Sequence, residues 1–192
     1  MENQDKKYDI KELNSYYVAE IGNRYIQNNK RKYFRGKSEI VKLKNGLNAV
    51  VTLRNPNNSD AIIYINNTAI ANISDAVVTE NIYYSARTKG DLIKSKNVVS
   101  SNQPYGRNIK AYGEVYYGEN IEIYEGISTH TSVIPPYENL LGNTNGSVIL
   151  YPGMEAVIEI YLTDTNKEAE GITSFSWWEE PIQDSKGELN NE

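Results

Sequence analysis

Apolar side chains recur at every second position in many short segments of the chain. In MEAVIEIYL (residues 154–162), every second side chain from Met154 to Leu162 is apolar, which places these side chains on one face of an extended strand. The i, i+3, i+4 spacing of an amphipathic helix is not sustained over ten residues anywhere in the sequence. The pattern therefore predicts strands, with at most a short helical turn at residues 9–13.

Ten segments have this alternation or are rich in β-branched and aromatic residues, which favour strands. They are 15–21, 39–44, 47–54, 61–66, 76–86, 108–118, 120–126, 147–151, 154–162 and 172–178. Turn-forming residues separate them, for example at 55–60, in NTNG at 143–146 and in Tyr-Pro-Gly at 151–153. Short strands without intervening helices predict an all-β fold with antiparallel sheets, and long polar connections indicate Greek-key crossovers.

The chain is long enough, at 192 residues, to bury a core without a metal or a disulfide. We expect a jelly-roll-like antiparallel β-sandwich in one domain, residues 15–182. A polar N-terminal extension, 1–14, and a polar C-terminal tail, 183–192, flank it because neither segment carries enough apolar surface to order itself.

The two tryptophans of the chain stand side by side in SFSWWEEPI, residues 174–182. On a strand, Trp177 shares a face with Phe175, whereas Trp178 shares the opposite face with serines. The sequence thus predicts Trp177 in the core and Trp178 on the surface. Pro181 is expected to end the strand because proline lacks the N–H donor that sheet pairing needs.

Tyrosine is unusually frequent, with 16 tyrosines against 2 phenylalanines. The strand phases place Tyr64, Tyr124 and Tyr161 opposite the apolar faces of their strands, and Tyr112 and Tyr116 opposite Val115. Loops of the same chain that cover these rings, or single scattered positions, would explain them without any function. A contact between subunits or the stacking of sugar rings would also explain them, and all three interpretations stay open.

Residues 29–37, NKRKYFRGK, concentrate positive charge in a chain whose net charge is −5. Basic residues interleaved with aromatic residues occur at sites for single-stranded nucleic acid. The acidic balance favours a solvated loop or a contact with an acidic neighbouring subunit instead, and we expect no nucleic-acid partner. The candidate interface residues are therefore Trp178, Tyr64, Tyr112, Tyr116, Tyr124, Tyr161, Lys30, Arg31, Lys32 and Arg35.

Residues suited to catalysis are scarce. The chain has no cysteine and one histidine, His130, which we expect in a loop, hydrogen-bonded to its neighbours. Glu179 and Glu180 are adjacent and would point to opposite faces of a strand, so they cannot form the facing carboxylate pair of a glycosidase. We predict no enzymatic activity, no catalytic residues, no cofactor and no metal site. Calcium binding by the carboxylates of the loops at 55–60 and 164–170 is the one alternative, but neither loop has the ligand spacing of an EF-hand.

Apolar runs are only a few residues long, so we expect no membrane insertion. The first residues, MENQDKKYDIKELN, lack the apolar segment of a secretory signal. The expectation is synthesis in a bacterial cytoplasm, with the protein ending on a virion or on a spore or cell-surface particle.

That setting follows from a resemblance carried by three stretches: NPNNSDAIIYINN (55–67), ILYPGMEAVIEIYL (149–162) and SFSWWEEPI (174–182). Together they resemble small all-β accessory proteins of low-GC Gram-positive bacteria and their phages. The resemblance implies a structural role on a particle, such as a virion decoration, a tail component or an appendage subunit, with copies of itself or other particle proteins as partners. A carbohydrate-binding module that uses surface Trp and Tyr side chains is the alternative.

Overall fold

The computed structural model describes residues 23–30, 32–44, 46–102 and 109–182. Within these ranges one helix, α1 (Asn23–Asn29), precedes fourteen strands. The strands are β1 (Tyr33–Lys37), β2 (Val41–Leu43), β3 (Ala49–Arg54), β4 (Ala61–Asn72), β5 (Val78–Tyr84), β6 (Arg87–Lys89), β7 (Ile93–Lys94), β8 (Val98–Ser100), β9 (Glu114–Glu119), β10 (Glu122–Tyr124), β11 (Ile127–Ile134), β12 (Asn139–Leu150), β13 (Glu155–Leu162) and β14 (Ala169–Pro181). The predicted strand 15–21, the helical turn at 9–13 and the polar tails lie outside the described residues.

Two antiparallel sheets pack face to face. Sheet A has the order β12-β4-β14-β1-β8, with β2 paired to the first part of β14, and sheet B has the order β11-β5-β13-β3-β9-β7. Consecutive strands alternate between the sheets from β3 to β5 and again from β11 to β14. Strands β1, β3–β5 and β11–β14 thus form two Greek keys in jelly-roll order, which confirms the predicted all-β sandwich.

The chain between β5 and β11, residues 85–126, forms an insertion in the jelly roll. Its strand β8 extends sheet A beside β1, and its strands β9 and β7 extend sheet B beside β3. Its strands β6 and β10 pair with each other and cover part of the outer face of sheet B, where Val50 and Val157 pack against Ile121. The insertion widens one side of the sandwich, whereas the other side ends at β11 and β12.

The main core lies between the sheets, and Trp177 is fully buried in it. Its indole stacks on Phe34, with ring centroids 6.1 Å apart. Gly113 lies against the indole so closely that a Cβ there would be 2.9 Å from Nε1. The inward phase predicted for Trp177 is confirmed, as is the apolar face of β13, and β14 ends at Pro181.

The prediction that Trp178 lies on the surface is wrong. Trp178 does point to the outer face of sheet A, but it is only 4% exposed. Its ring stacks almost parallel on Tyr64 at 5.3 Å, and a bulge of β12 crosses it. At this bulge Gly146 has φ +79°, and a Cβ there would lie 1.9 Å from the indole. A residue on an outer face is thus buried by its own chain.

The prediction of a basic loop at residues 30–37 is also wrong, because β1 begins at Tyr33 and lies inside sheet A. Phe34 faces the core, whereas Tyr33 is buried on the outer face. The Tyr33 hydroxyl donates a hydrogen bond to Ser176 Oγ (2.9 Å) and accepts one from Asn66 Nδ2 (2.9 Å). Lys30 follows α1 and is exposed, and Arg31 lies outside the described residues.

Candidate functional site

The predicted interface residues do not converge on one surface. Trp178, Tyr64 and Arg35 lie on the outer face of sheet A. Tyr116 and Tyr161 lie on the outer face of sheet B, on the opposite side of the sandwich. The aromatic side chains are therefore distributed over two faces.

The remaining predicted residues lie apart from these faces. Tyr124 is exposed on β10, and Tyr112 is exposed just before β9. Lys32 is half-buried between α1 and β1, where its carbonyl accepts the N–H of Glu179 (3.0 Å). The structure thus does not combine the basic stretch and the tyrosines into a single site.

A buried carboxylate fixes the position of Tyr112. Glu179 accepts hydrogen bonds from the Tyr112 N–H (3.0 Å), the Gly113 N–H (2.8 Å) and Trp177 Nε1 (2.9 Å). Burial raises the pKa of Glu179 although these three donors act in the opposite direction. Glu180 points away from it, toward Gln27 Nε2 (2.8 Å), so the two glutamates do not face each other, as predicted. Glu179 is a structural group that attaches the chain before β9 to β14.

The carboxylates on the outer face of sheet B are likewise engaged by their own chain. Glu155 accepts hydrogen bonds from Arg54 Nε (2.6 Å), Thr52 Oγ1 (3.0 Å) and the Thr88 N–H (2.9 Å), which tie β6 to the sheet. The Arg54 guanidinium lies 4.8 Å from the centre of the Tyr116 ring. Neither the carboxylate nor the tyrosine is presented for chemistry on a substrate.

Glu159 sits in a similar environment, in an open cleft of about 780 Å³ between β6–β10 and sheet B. Its carboxylate accepts hydrogen bonds from Asn48 Nδ2 (2.8 Å), Asn81 Nδ2 (3.1 Å) and the Tyr83 hydroxyl (3.0 Å). In the part of the chain that the structure describes, no three His, Asp or Glu side chains come together as a metal site would require. Nor does any helix within the described ranges have the length and apolarity to cross a membrane.

The feature that sequence reasoning missed is the bare side of the sandwich, where β11 and β12 are the edge strands and no described strand pairs with their open sides. Strand β11, the edge of sheet B, has eight residues, and β12, the edge of sheet A, has twelve. Neither strand contains a Lys, Arg, Asp or Glu residue. Large apolar side chains are nevertheless exposed on them: Ile127 at 73%, Val133 at 63% and Leu141 at 68%. Natural edge strands are normally short, charged or covered, since an open edge is a template for pairing with another chain.

The sequence did contain a signal for β11. The segment ISTHTSVI has five β-branched residues in eight, which favours a strand, yet its single histidine among hydroxyl residues suggested a loop. His130 Nε2 does lie 2.7 Å from its neighbour Ser132 Oγ, as expected, but both residues are on the strand. In β12, NTNG at 143–146 suggested a turn, and the structure has a bulge there instead.

One buried carboxylate lies beside this edge. Glu80 on β5 pairs with Ser132 of β11 and is only 2% exposed. Its Oε2 atom has no hydrogen-bond partner among the described residues. Burial raises the pKa of Glu80 to about 7, and burial, together with the charge of Glu80, raises the pKa of Tyr84.

The fold and its edges define the protein as a jelly-roll β-sandwich with an insertion on one side and, on the other, an uncharged edge whose open side pairs with no other described residue. The chain belongs to the family of unknown function DUF6143, whose model matches residues 4–184. No curated protein matches the sequence.

Proposed function

We propose that the protein is a non-enzymatic assembly subunit that associates with copies of itself by pairing β11 edge to edge. The observation that carries this proposal is the eight-residue edge strand without charge, on which Ile127 and Val133 are largely exposed. The setting that the sequence resemblance supports is a virion or a spore or cell-surface particle.

Antiparallel pairing of β11 with β11 of a second copy satisfies the two-fold symmetry that most homodimers have. The pairing joins two six-stranded sheets into one and gives the open N–H and C=O groups of the edge hydrogen-bond partners. Strand β12 lies on the same side, because only residues 135–138 connect it to β11. Its exposed Leu141 therefore adds apolar surface on this side of the sandwich.

The distribution of the aromatic residues supports assembly more than sugar stacking. A sugar-binding surface typically presents rings in one accessible row, whereas here Trp178 is buried and the tyrosines lie on two faces. Tyr64 is stacked on Trp178, and Tyr116 is stacked on Arg54. Carbohydrate binding through surface Trp and Tyr remains the alternative function.

The test is sedimentation velocity of Val133→Lys and Ile127→Lys over a range of micromolar concentrations. A lysine at the edge places an unpaired charge against the neighbouring strand, so we expect the oligomer of the unsubstituted protein to dissociate into monomers. Ile40→Lys is the matched control, because Ile40 is 48% exposed in the connection between β1 and β2, away from this edge. We expect this control variant to associate like the unsubstituted protein.

Salt dependence adds a second criterion. Pairing through an uncharged edge should change little with ionic strength, because screening acts on charges. Association that survives both edge lysines but weakens in salt would point to the basic residues instead and would overturn the proposal. A protein that stays monomeric at all concentrations and binds a polysaccharide would favour the alternative.

A further inference from the structure

We infer that the outer face of sheet A carries a second binding site, a trough that takes a carboxylate-bearing saccharide chain. The trough has a volume of about 790 Å³, within the range of ligand sites in proteins. The trough lies on sheet A, whereas the β11 edge belongs to sheet B; Leu141 of β12, which lies beside that edge, forms one end of the trough.

The trough exists because two neighbouring rows of the sheet carry small side chains where they cross β14 and β4. Across the strands, Arg35 pairs with Ser176 and Ser176 with Asn67, and the next row runs from Lys37 through Ser174 to Ala69. The row on one side is bulky, because it contains Tyr33, Trp178 and Tyr64. The small side chains of these two rows therefore form the floor of a depression beside a row of aromatic rings.

Exposed apolar side chains mark the two ends of the trough, Val99 on β8 and Leu141 on β12. Between these edge strands the sheet includes β1, β14 and β4, so the trough crosses four strand spacings of roughly 4.8 Å, or about 19 Å. An extended ligand of several sugar rings fits this length.

The charge of the trough is positive in an otherwise acidic protein. Arg35, Lys37 and Lys96 line it, and no Asp or Glu is among the lining residues. None of these three cations forms an ion pair with another described residue, whereas Arg54 and Lys94 on sheet B are both paired with carboxylates. Glu39 approaches one end of the trough, where it accepts a hydrogen bond from Asn97 Nδ2 (2.7 Å). Unpaired cations around one depression are suited to an anionic ligand.

The floor distinguishes a saccharide from other anions. Ser174 is half-buried, with no hydrogen bond from its hydroxyl to another described residue. The Ser176 hydroxyl accepts a hydrogen bond from Tyr33 (2.9 Å) and donates one to Asn67 Oδ1 (3.4 Å), which leaves the amide nitrogen of Asn67 without a partner among the described residues. Such groups can exchange hydrogen bonds with the hydroxyls of a sugar. Single-stranded nucleic acid needs exposed aromatic rings on which its bases stack, and the one aromatic residue of the lining, Phe175, is buried. An acidic peptide finds no open backbone groups on the floor, because β14 and β4 are paired on both sides.

The test is titration calorimetry of the full chain with tri-galacturonate at low ionic strength. We expect binding that is lost when the carboxylates of the same trisaccharide are methyl-esterified. Arg35→Glu and Lys37→Glu should each weaken binding about tenfold, as expected for one exposed charge pair turned repulsive. Lys89→Glu is the matched control, because Lys89 is exposed on β6, over the other sheet, and its reversal should leave the affinity unchanged.

A second variant distinguishes binding inside the trough from general attraction of an anion to a positive surface. Ser174→Phe occupies the floor without changing the charge, so it should abolish binding while the circular dichroism spectrum stays that of the unsubstituted protein. The inference is overturned if tri-galacturonate does not bind, if Ser174→Phe binds it equally well, or if hexaglutamate or oligo-dT binds as tightly as the trisaccharide.

Discussion

The two lateral sides of the sandwich differ in the length and the charge of their edge strands. On one side the edges are β7, with two residues, and β8, with three, and Lys94 lies on β7. On the other side the edges are β11, with eight residues, and β12, with twelve, and neither has a charged residue. Short, charged edges resist pairing with other chains, whereas long uncharged edges promote it.

The insertion accounts for this difference. Residues 85–126 leave the jelly roll after β5, and their strands β7, β8 and β9 extend the sheets beside β1 and β3. Nothing among the described residues does the same beside β11 and β12. The described residues protect one side and leave the other bare, which supports the proposal that the bare side is the one that pairs.

The largest expected effect concerns the support of the bare edge. Trp178 lies under the β12 bulge, so Trp178→Ala removes the surface on which Gly146 packs. We expect a loss of about 3–5 kcal/mol in the free energy of unfolding, similar to the loss for Trp177→Ala. Urea denaturation measures both variants. Tyr151→Ala, at an exposed ring, should change stability by less than about 0.5 kcal/mol. A near-zero effect of Trp178→Ala would mean that its indole is not covered.

That tryptophan also marks the limit of sequence reasoning. The two-residue period determines the side of a sheet to which a side chain points, and it placed Trp177, Trp178 and the alternating residues of β13 on the correct sides. The period does not reveal whether another segment covers that side. The cover over Trp178 comes from Gly146, 32 positions earlier in the sequence, and only the three-dimensional path of β12 brings it there.

The wrong predictions for β12 and β1 have local physical causes. In β12, Asn145 and Gly146 both have positive φ, so the prediction of a turn captured the backbone conformation. The chain nevertheless returns to the same partner, β4, after the bulge, which only the pairing can show. In β1, the charged residues around Tyr33 and Phe34 suggested solvent, yet the two aromatic side chains are buried on opposite faces of one strand.

The second largest expected effect comes from a difference between two carboxylates, Glu114 beside the protected edge and Glu80 beside the bare edge. On the protected side, burial acts to raise the pKa of Glu114, but hydrogen bonds from Lys94 and Tyr116 outweigh it and lower that pKa. On the bare side, Glu80 has no such partner among the described residues, and burial raises its pKa from 4.5 to about 7. The folded protein therefore holds this proton more tightly than the unfolded chain does.

The sign of the pH dependence follows from that difference. The contribution of Glu80 to stability is fully present below pH 4.5 and is lost as the pH rises to about 7, and the gap corresponds to roughly 3 kcal/mol. Glu80→Gln should remove this loss and flatten the stability profile between these pH values, as measured by urea denaturation. Glu122→Gln, at an exposed carboxylate, is the control for the loss of one charge. An unchanged slope in Glu80→Gln would contradict the raised pKa.

The smallest expected effect is that of Lys94→Thr, which tests whether the lysine or the shortness of β7 protects this edge. Lys94 on β7 is paired with Glu114, and about half of its side chain is exposed. Such a pair contributes little, so Lys94→Thr should lower the free energy of unfolding by less than about 1 kcal/mol. It should also create no new oligomer in sedimentation velocity, because β7 offers only two residues for pairing. A new oligomer in Lys94→Thr would instead mean that the lysine, and not the shortness of the strand, protects this edge. In that case the absence of charge from β11, more than its length, would become the reason to expect pairing there.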